Sequence, residues 1–212
     1  EGEETLRRSL SIALEHNFHE HVARAYTNIS SALVLSHRYQ EAEKVFADGF
    51  EYCEDHDLNS WVYYMQGEQV RLWLDTGRWD DAEAGSYALV NYSNHPAMVR
   101  IAALVVLARL KTRKGDFDDA RTLISEASSL ASLTGEAQRI VPVLVAQLEF
   151  CWTAGDPFPV KETDHAQSNL FAEKKNNYNH LALMQWMHRA GMISEFKALW
   201  SDDAPLDRKS VV

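Results

Sequence analysis

Cysteine is scarce in this chain of 212 residues, and the two present, Cys53 and Cys151, stand nearly half the chain apart. That spacing excludes a disulfide framework and a thiolate metal cage, and it fits a reducing cytoplasm. Long apolar runs are also missing. The longest, Ile101 to Ala108, is far short of the roughly 18 residues that a membrane-spanning helix needs, so the chain reads as soluble. Basic charge is in deficit, with 21 Lys and Arg against 31 Asp and Glu and a formal charge of −10. Such a balance opposes an electrostatic hold on nucleic acid or on an anionic membrane, so neither is expected as a direct partner. Strand signals are absent as well: no alternating run is bounded by Asn-Gly or Asp-Gly turns, and the valines of 99–106 sit among Ala and Leu over a helical length. A phosphate-cradling GxxxxGK[ST] loop and a helix-turn-helix are not found either. The opening EGEETLRRSL begins without Met, as though already inside a helix, which suggests a fragment of a longer protein.

What the chain has is a repeated sentence. SHRYQEAEKVF at 36–46, TGRWDDAEAGS at 76–86 and KGDFDDARTLI at 114–124 share it, with looser copies AGDPFPVKETD at 154–164 and AGMISEFKALW at 190–200. Aligning His37, Gly77, Gly115, Gly155 and Gly191 gives steps of 40, 38, 40 and 36 residues. Periods of this size mark helix pairs that cannot bury an apolar face alone and so stack on their neighbours. Within each sentence the Gly ends the first helix in a left-handed conformation, an aromatic (Tyr39, Trp79, Phe117) packs between units, and an Ala (Ala42, Ala82, Ala120) permits close approach.

Apolar residues three and four apart flank each turn, and the resulting helix map is 3–16, 20–36, 39–56, 59–76, 79–92, 96–114, 117–132, 136–154, 159–173, 177–190 and 193–201. Residues 202–212 read as a polar, frayed tail. Pro96 suits a first helical turn, whereas Pro142 implies a kink or a helix that begins near it. The expected fold is all-α, a right-handed superhelical solenoid of about five helix pairs over residues 1–201, with a period of about 36–40.

The turn sentences resemble tetratricopeptide repeats, whose usual period of about 34 is shorter. DLNSWVYYMQGEQVRLWLDTGRWDDAE at 57–83, RIAALVVLARLKTRKGDFDDA at 100–120 and TGEAQRIVPVLVAQLEFCWTAGD at 134–156 resemble, further, the helical-repeat region of large bacterial regulators. In such regulators this region accompanies an ATPase domain and often a LuxR-type DNA-binding domain. The resemblance implies a sensing or docking segment, and it carries over no catalytic residue and no cofactor.

In tetratricopeptide stacks the first helix of each pair lines a concave groove. Counting back from each turn nominates Arg24, Asn28 and Ser31, then Tyr64, Glu68 and Arg71, then Arg109 and Arg113, then Glu149 and Trp152. Arg supplies a planar fork for a carboxylate or phosphate, and an Asn amide suits a peptide backbone. The occupant is expected to be a protein, a peptide or a small effector, and Glu68 pairing with Arg71 within one helix is the plainer alternative for those two. Uncapped end repeats leave homodimerisation open.

Other clusters read as structural. His16, His19 and His21 fall at a helix junction without a completing ligand, so no metal is expected. Asp80–Asp81 and Asp118–Asp119 recur at one place in two repeats, where they complement a helix dipole and cap free amides. Arg109, Lys111, Arg113 and Lys114 close a helix, where cations are favoured. Of Trp61, Tyr63, Tyr64, Trp73 and Trp79, only the face holding 61, 64 and 68 can turn to a groove. Nothing pairs a nucleophile with a base, and the expected protein is a non-catalytic interaction or effector-sensing module, or else a general docking scaffold unrelated to transcription.

Overall fold

The computed structural model describes residues 2–91, 96–158 and 178–189. Every element among them is a helix: α1 (Gly2–Glu15), α2 (His19–Leu35), α3 (Tyr39–Asp55), α4 (Asn59–Asp75), α5 (Trp79–Asn91), α6 (Ala97–Lys114), α7 (Phe117–Thr134), α8 (Ala137–Ala154) and α9 (Tyr178–Arg189). The sequence map differs by at most two residues at any of these ends. The helices expected over 159–173 and 193–201, the Gly191 turn and the tail of 202–212 lie outside the described residues. None of the described helices is long and apolar enough to cross a membrane.

Each helix packs on the next in sequence, and α2, α4, α6 and α8 also pack on one another in that order, with α9 added against α8. The chain is therefore a two-layer helical solenoid: α2, α4, α6, α8 and α9 form an inner layer, and α1, α3, α5 and α7 an outer one. An inner helix is surrounded, and α6, which meets α4, α5, α7 and α8, accordingly buries the unbroken run Ala103–Ala108 together with Val99, Ile101 and Leu110. That crowding explains why the longest apolar run in the sequence falls here.

The turns repeat one piece of backbone chemistry. Asn17, His37, Asp57, Gly77, Gly115, Gly135 and Gly155 all have positive φ, between 54° and 84°. At the His37 turn, the N–H of Arg38 donates to the Leu33 carbonyl at 2.9 Å and that of His37 to Val34 at 3.1 Å. Arg78 and Gly77 repeat the pattern onto Trp73 and Leu74, and Leu58 and Asp57 onto Cys53 and Glu54. These paired bonds close a helix end on its own carbonyls. The same Arg38, Arg78 and Asp116 then open the next helix, their carbonyls accepting from Ala42, Ala82 and Ala120 at 2.9–3.0 Å. All three alanines are wholly buried, so the small residue of the repeated sentence sits where the new helix first meets its neighbours. The aromatic two residues after the turn is less uniform: Phe117 meets Phe150 edge-on at 6.0 Å, while Trp79 stays 37 % exposed.

Ion pairs fix the register between units. Glu3, Glu43 and Glu83, 40 residues apart, take Arg38, Arg78 and Lys114 from the following turn, the last two at 3.3 and 2.5 Å. Arg121 and Asp156 continue this with the signs exchanged, at 2.8 Å. The acidic first turns carry Asp80, Asp81, Asp118 and Asp119 as the dipole argument requires. The side chain of Asp81, however, is taken up by Arg78 at 2.8 Å, and the Asp116 side chain makes no cap bond. Pro142 lies inside α8, which starts at Ala137 and runs on to Ala154, so the helix does not begin at the proline.

Candidate functional site

The inner helices enclose a groove of about 1790 Å³ that runs from α2 to α9. Its lining follows the repeat: Arg24, Asn28 and Ser31 of α2 stand 40 residues before Tyr64, Glu68 and Arg71 of α4, and all six face the groove. Further along, the lining from α6 and α8 is more apolar, with Met98, Ile101, Ala102, Val105, Pro142 and Val145, but it also holds Arg109, Gln138 and Arg139. The groove is thus polar along α2 and α4 and mixed along α6 and α8. Gly67 thins the floor between α4 and α6, with the nearest atom to a Cβ placed there being Ala102 Cβ at 3.5 Å.

Along the polar stretch an indole is clamped. Trp61 Nε1–H donates to Glu20 Oε2 at 2.5 Å, the Arg24 guanidinium lies 5.7 Å from the Trp61 ring centroid, and Tyr64 stands 5.8 Å from the same ring. Arg24 is exposed and meets no carboxylate among the described residues closely enough to form an ion pair. Arg71 has only Asp75, at 3.8 Å, so its fork of donors is largely unspent. Glu68 does not pair with Arg71: its Oε2 is buried without a hydrogen-bond partner among the described residues. At the far end a second cation rests on an indole, Arg189 over Trp186 at 4.9 Å.

A chain of charges joins the two stretches. Tyr39, with its hydroxyl 2.5 Å from His37 Nδ1, is pushed up to about 12 by burial first and by the Asp75 carboxylate next. Asp75 sits 3.8 Å from both Arg71 and Arg109. Arg109 and Arg113 then converge on Glu149 at 2.6 and 2.7 Å. Burial pushes Glu149 up, but the two guanidinium charges and their hydrogen bonds outweigh it and hold the carboxyl below its usual value.

This geometry sorts the residues nominated from the sequence. Arg24, Asn28, Ser31, Tyr64, Glu68, Arg71 and Arg109 line the groove. Arg113 and Glu149 do not, because Arg109 and Arg113 reach across from α6 and cover the carboxylate, which is 5 % exposed. Trp152 does not line it either and is 53 % exposed elsewhere. Counting from the turns missed Glu20, Arg139 on α8, and Trp186 and Arg189 on α9. Trp61, which shares a helix face with Tyr64 and Glu68, does line the groove as that face allows.

The remaining clusters are spent on structure. His19 bonds the Tyr52 hydroxyl at 2.7 Å and lies 4.2 Å from His56, while His16 stacks on Phe18. Among the described residues no three His, Cys, Asp or Glu side chains converge as a metal ion requires. Lys111 and Lys114 both pair with Glu83, so the basic run at the end of α6 is neutralised within the fold. Both cysteines are buried, and burial pushes the Cys53 thiol up to about 11, leaving it protonated and unreactive at neutral pH. Comparison of the chain with protein-family models, with curated proteins and with solved structures finds no match to any of them.

Proposed function

We propose that this chain is a non-catalytic binding module that holds an extended protein segment in its concave groove. The observation that carries this reading is the size of the groove. At about 1790 Å³ it exceeds the roughly 300–1,000 Å³ of pockets that enclose a small molecule. From α2 to α8 alone, three steps between neighbouring inner helices, at about 9 Å each, span roughly 27 Å, which suits about eight or nine extended residues. Its walls offer both hydrogen-bonding groups and apolar surface, the mixture that an extended backbone with its side chains can use.

Thermal unfolding tests the reading, since a ligand that binds only the folded state raises the midpoint, by about 2.7 kcal/mol of stability at a hundredfold excess over Kd. A pool of nonapeptides is expected to raise it, and Arg71→Ala to reduce the shift. Metabolites raising the midpoint while no peptide does would contradict the proposal and favour a small-effector sensor.

The resemblance of 57–83, 100–120 and 134–156 to the helical repeats of bacterial regulators supports placing the module in a transcriptional regulator. There, occupancy of the groove would change the curvature of the stack and bias the domains attached to it. Unaltered signalling by a full-length regulator carrying Arg71→Ala would count against that placement.

A further inference from the structure

We infer that the segment held in the groove is acidic along its whole length, its carboxylates taken by arginines spread over α2, α4, α8 and α9. This rests on the peptide-binding reading and deepens it by naming the chemistry of the partner.

The cations of the groove are distributed. Arg24 stands on α2, Arg71 on α4, Arg109 on α6, Arg139 on α8 and Arg189 on α9, and all five line it. Three carboxylates share the described lining, Glu20, Glu68 and Asp75, so the groove is cationic inside a chain of net charge −10. Two of the three are engaged already: Glu20 accepts from the Trp61 indole at 2.5 Å, and Asp75 lies 3.8 Å from both Arg71 and Arg109. Glu68 keeps its Oε2 buried.

Four of the arginines retain donors. Arg109 is committed to Glu149 at 2.6 Å. Arg24 and Arg189, both exposed, rest on the rings of Trp61 and Trp186, and a guanidinium on an aromatic face keeps its edge open for a bidentate acceptor. Arg71 reaches Asp75 only at 3.8 Å, while Arg139 reaches Glu136 and the Met98 sulfur only at 3.6 Å. A carboxylate therefore finds a loosely held guanidinium near either end of the groove.

The heights of these residues along their helices matter as well. The inner helices run parallel and in register, since Arg109 bonds Glu149 and Arg139 bonds Met98, pairs at nearly equal distances from their turns. Arg71 lies 6 residues before Gly77, as Arg109 does before Gly115, whereas Arg24 lies 13 before His37 and Arg139 16 before Gly155. At about 1.5 Å per residue, the two groups stand about 10–15 Å apart along the helix axes. An extended chain sends successive side chains to opposite sides and so meets arginines on both flanks. Between the flanks lie Asn28, Gly67, Val105 and Val145, with Glu68 beside Gly67, a floor over which a neutral backbone can run. A single-stranded nucleic acid offers similar charge, but it continues past the groove onto a protein that is acidic overall, whereas a nonapeptide of about 30 Å ends within it.

Selection from a displayed library of random nonamers tests this. Enriched sequences are expected to carry Asp or Glu at several positions spread over both halves of the peptide. An enriched nonamer, followed by the anisotropy of an attached fluorophore, should bind about tenfold more weakly when its acids become amides, and its affinity should fall with added salt. Arg24→Gln on α2 and Arg189→Gln on α9 should each weaken binding about three- to tenfold. Both side chains are exposed, so both variants are expected to fold. Enriched peptides without an excess of acids, or weakening by only one of the two variants, would overturn the inference and leave peptide binding standing. Displacement of the nonamer by an equal concentration of thymidine decanucleotide would overturn it too, by reassigning the cations to phosphate. No enrichment of any peptide would overturn both the inference and the reading beneath it.

Discussion

Glu149 shows how far a position on a helix face can be from a role at a surface. Its count from the turn matches those of Arg71 and Arg109, six residues before Gly155, Gly77 and Gly115. The count fixes the direction of the side chain but not what folds over it, and two long arginines from α6 close the carboxylate off. Arg109 is consequently both a wall of the groove and half of a buried pair. Arg109→Ala should lower stability by about 2–3 kcal/mol, as expected when a buried charge loses one of its partners, so it is a poor probe of binding. Because the folded-state pKa of Glu149 lies below 4.5, its contribution is complete above that pH and is lost as pH falls through the folded value. Urea melts across the acid range should therefore show Arg109→Ala losing less additional stability below about pH 4.5 than the parent protein does. Parallel acid limbs would remove Glu149 from the account.

At the scale of the element, the left-handed turn residues recur at 17, 37, 57 and 77 and again at 115, 135 and 155, one for nearly every helix end. Only the turns joining first to second helices were legible as a period, through Gly77, Gly115 and Gly155. The alternate set is written with Asn17, Asp57 and Gly135, and Asn and Asp enter this conformation by accepting strain rather than by lacking a Cβ. Asp57→Gly should relieve that strain and raise stability by about 0.5–1 kcal/mol, net of the added freedom of the unfolded chain. A denaturation midpoint that falls would contradict it. Gly85 is legible to no sequence rule, being a helical glycine with φ below zero. A Cβ there would meet the Trp73 ring and Val70 Cγ1, both at 2.9 Å, so α5 lies on α4 only because the side chain is missing. Gly85→Ala should lower stability by about 1–2 kcal/mol despite the better helix propensity of alanine. A more stable variant would show that α5 moves freely against α4.

At the scale of the whole molecule, the all-helical solenoid was legible because its period, its turns and its apolar faces agree. The change in the groove lining, from polar along α2 and α4 to more apolar along α6 and α8, was less so. It arises from the difference between what α2 and α4 place on the inner face and what α6 and α8 place there, and the turn sentences do not record that difference. The central claim is that a peptide lies in this groove. Indole N–H resonances of a ¹⁵N-labelled chain, followed while a nonapeptide that raises the unfolding midpoint is added, are the sharpest test. Trp61 and Trp186 line the groove, whereas Trp79 and Trp152 are exposed away from it. With a peptide in the groove, the Trp61 and Trp186 signals move to saturation while those of Trp79 and Trp152 stay in place. Movement of Trp79 or Trp152 with Trp61 and Trp186 unmoved would place the partner on another face and contradict it.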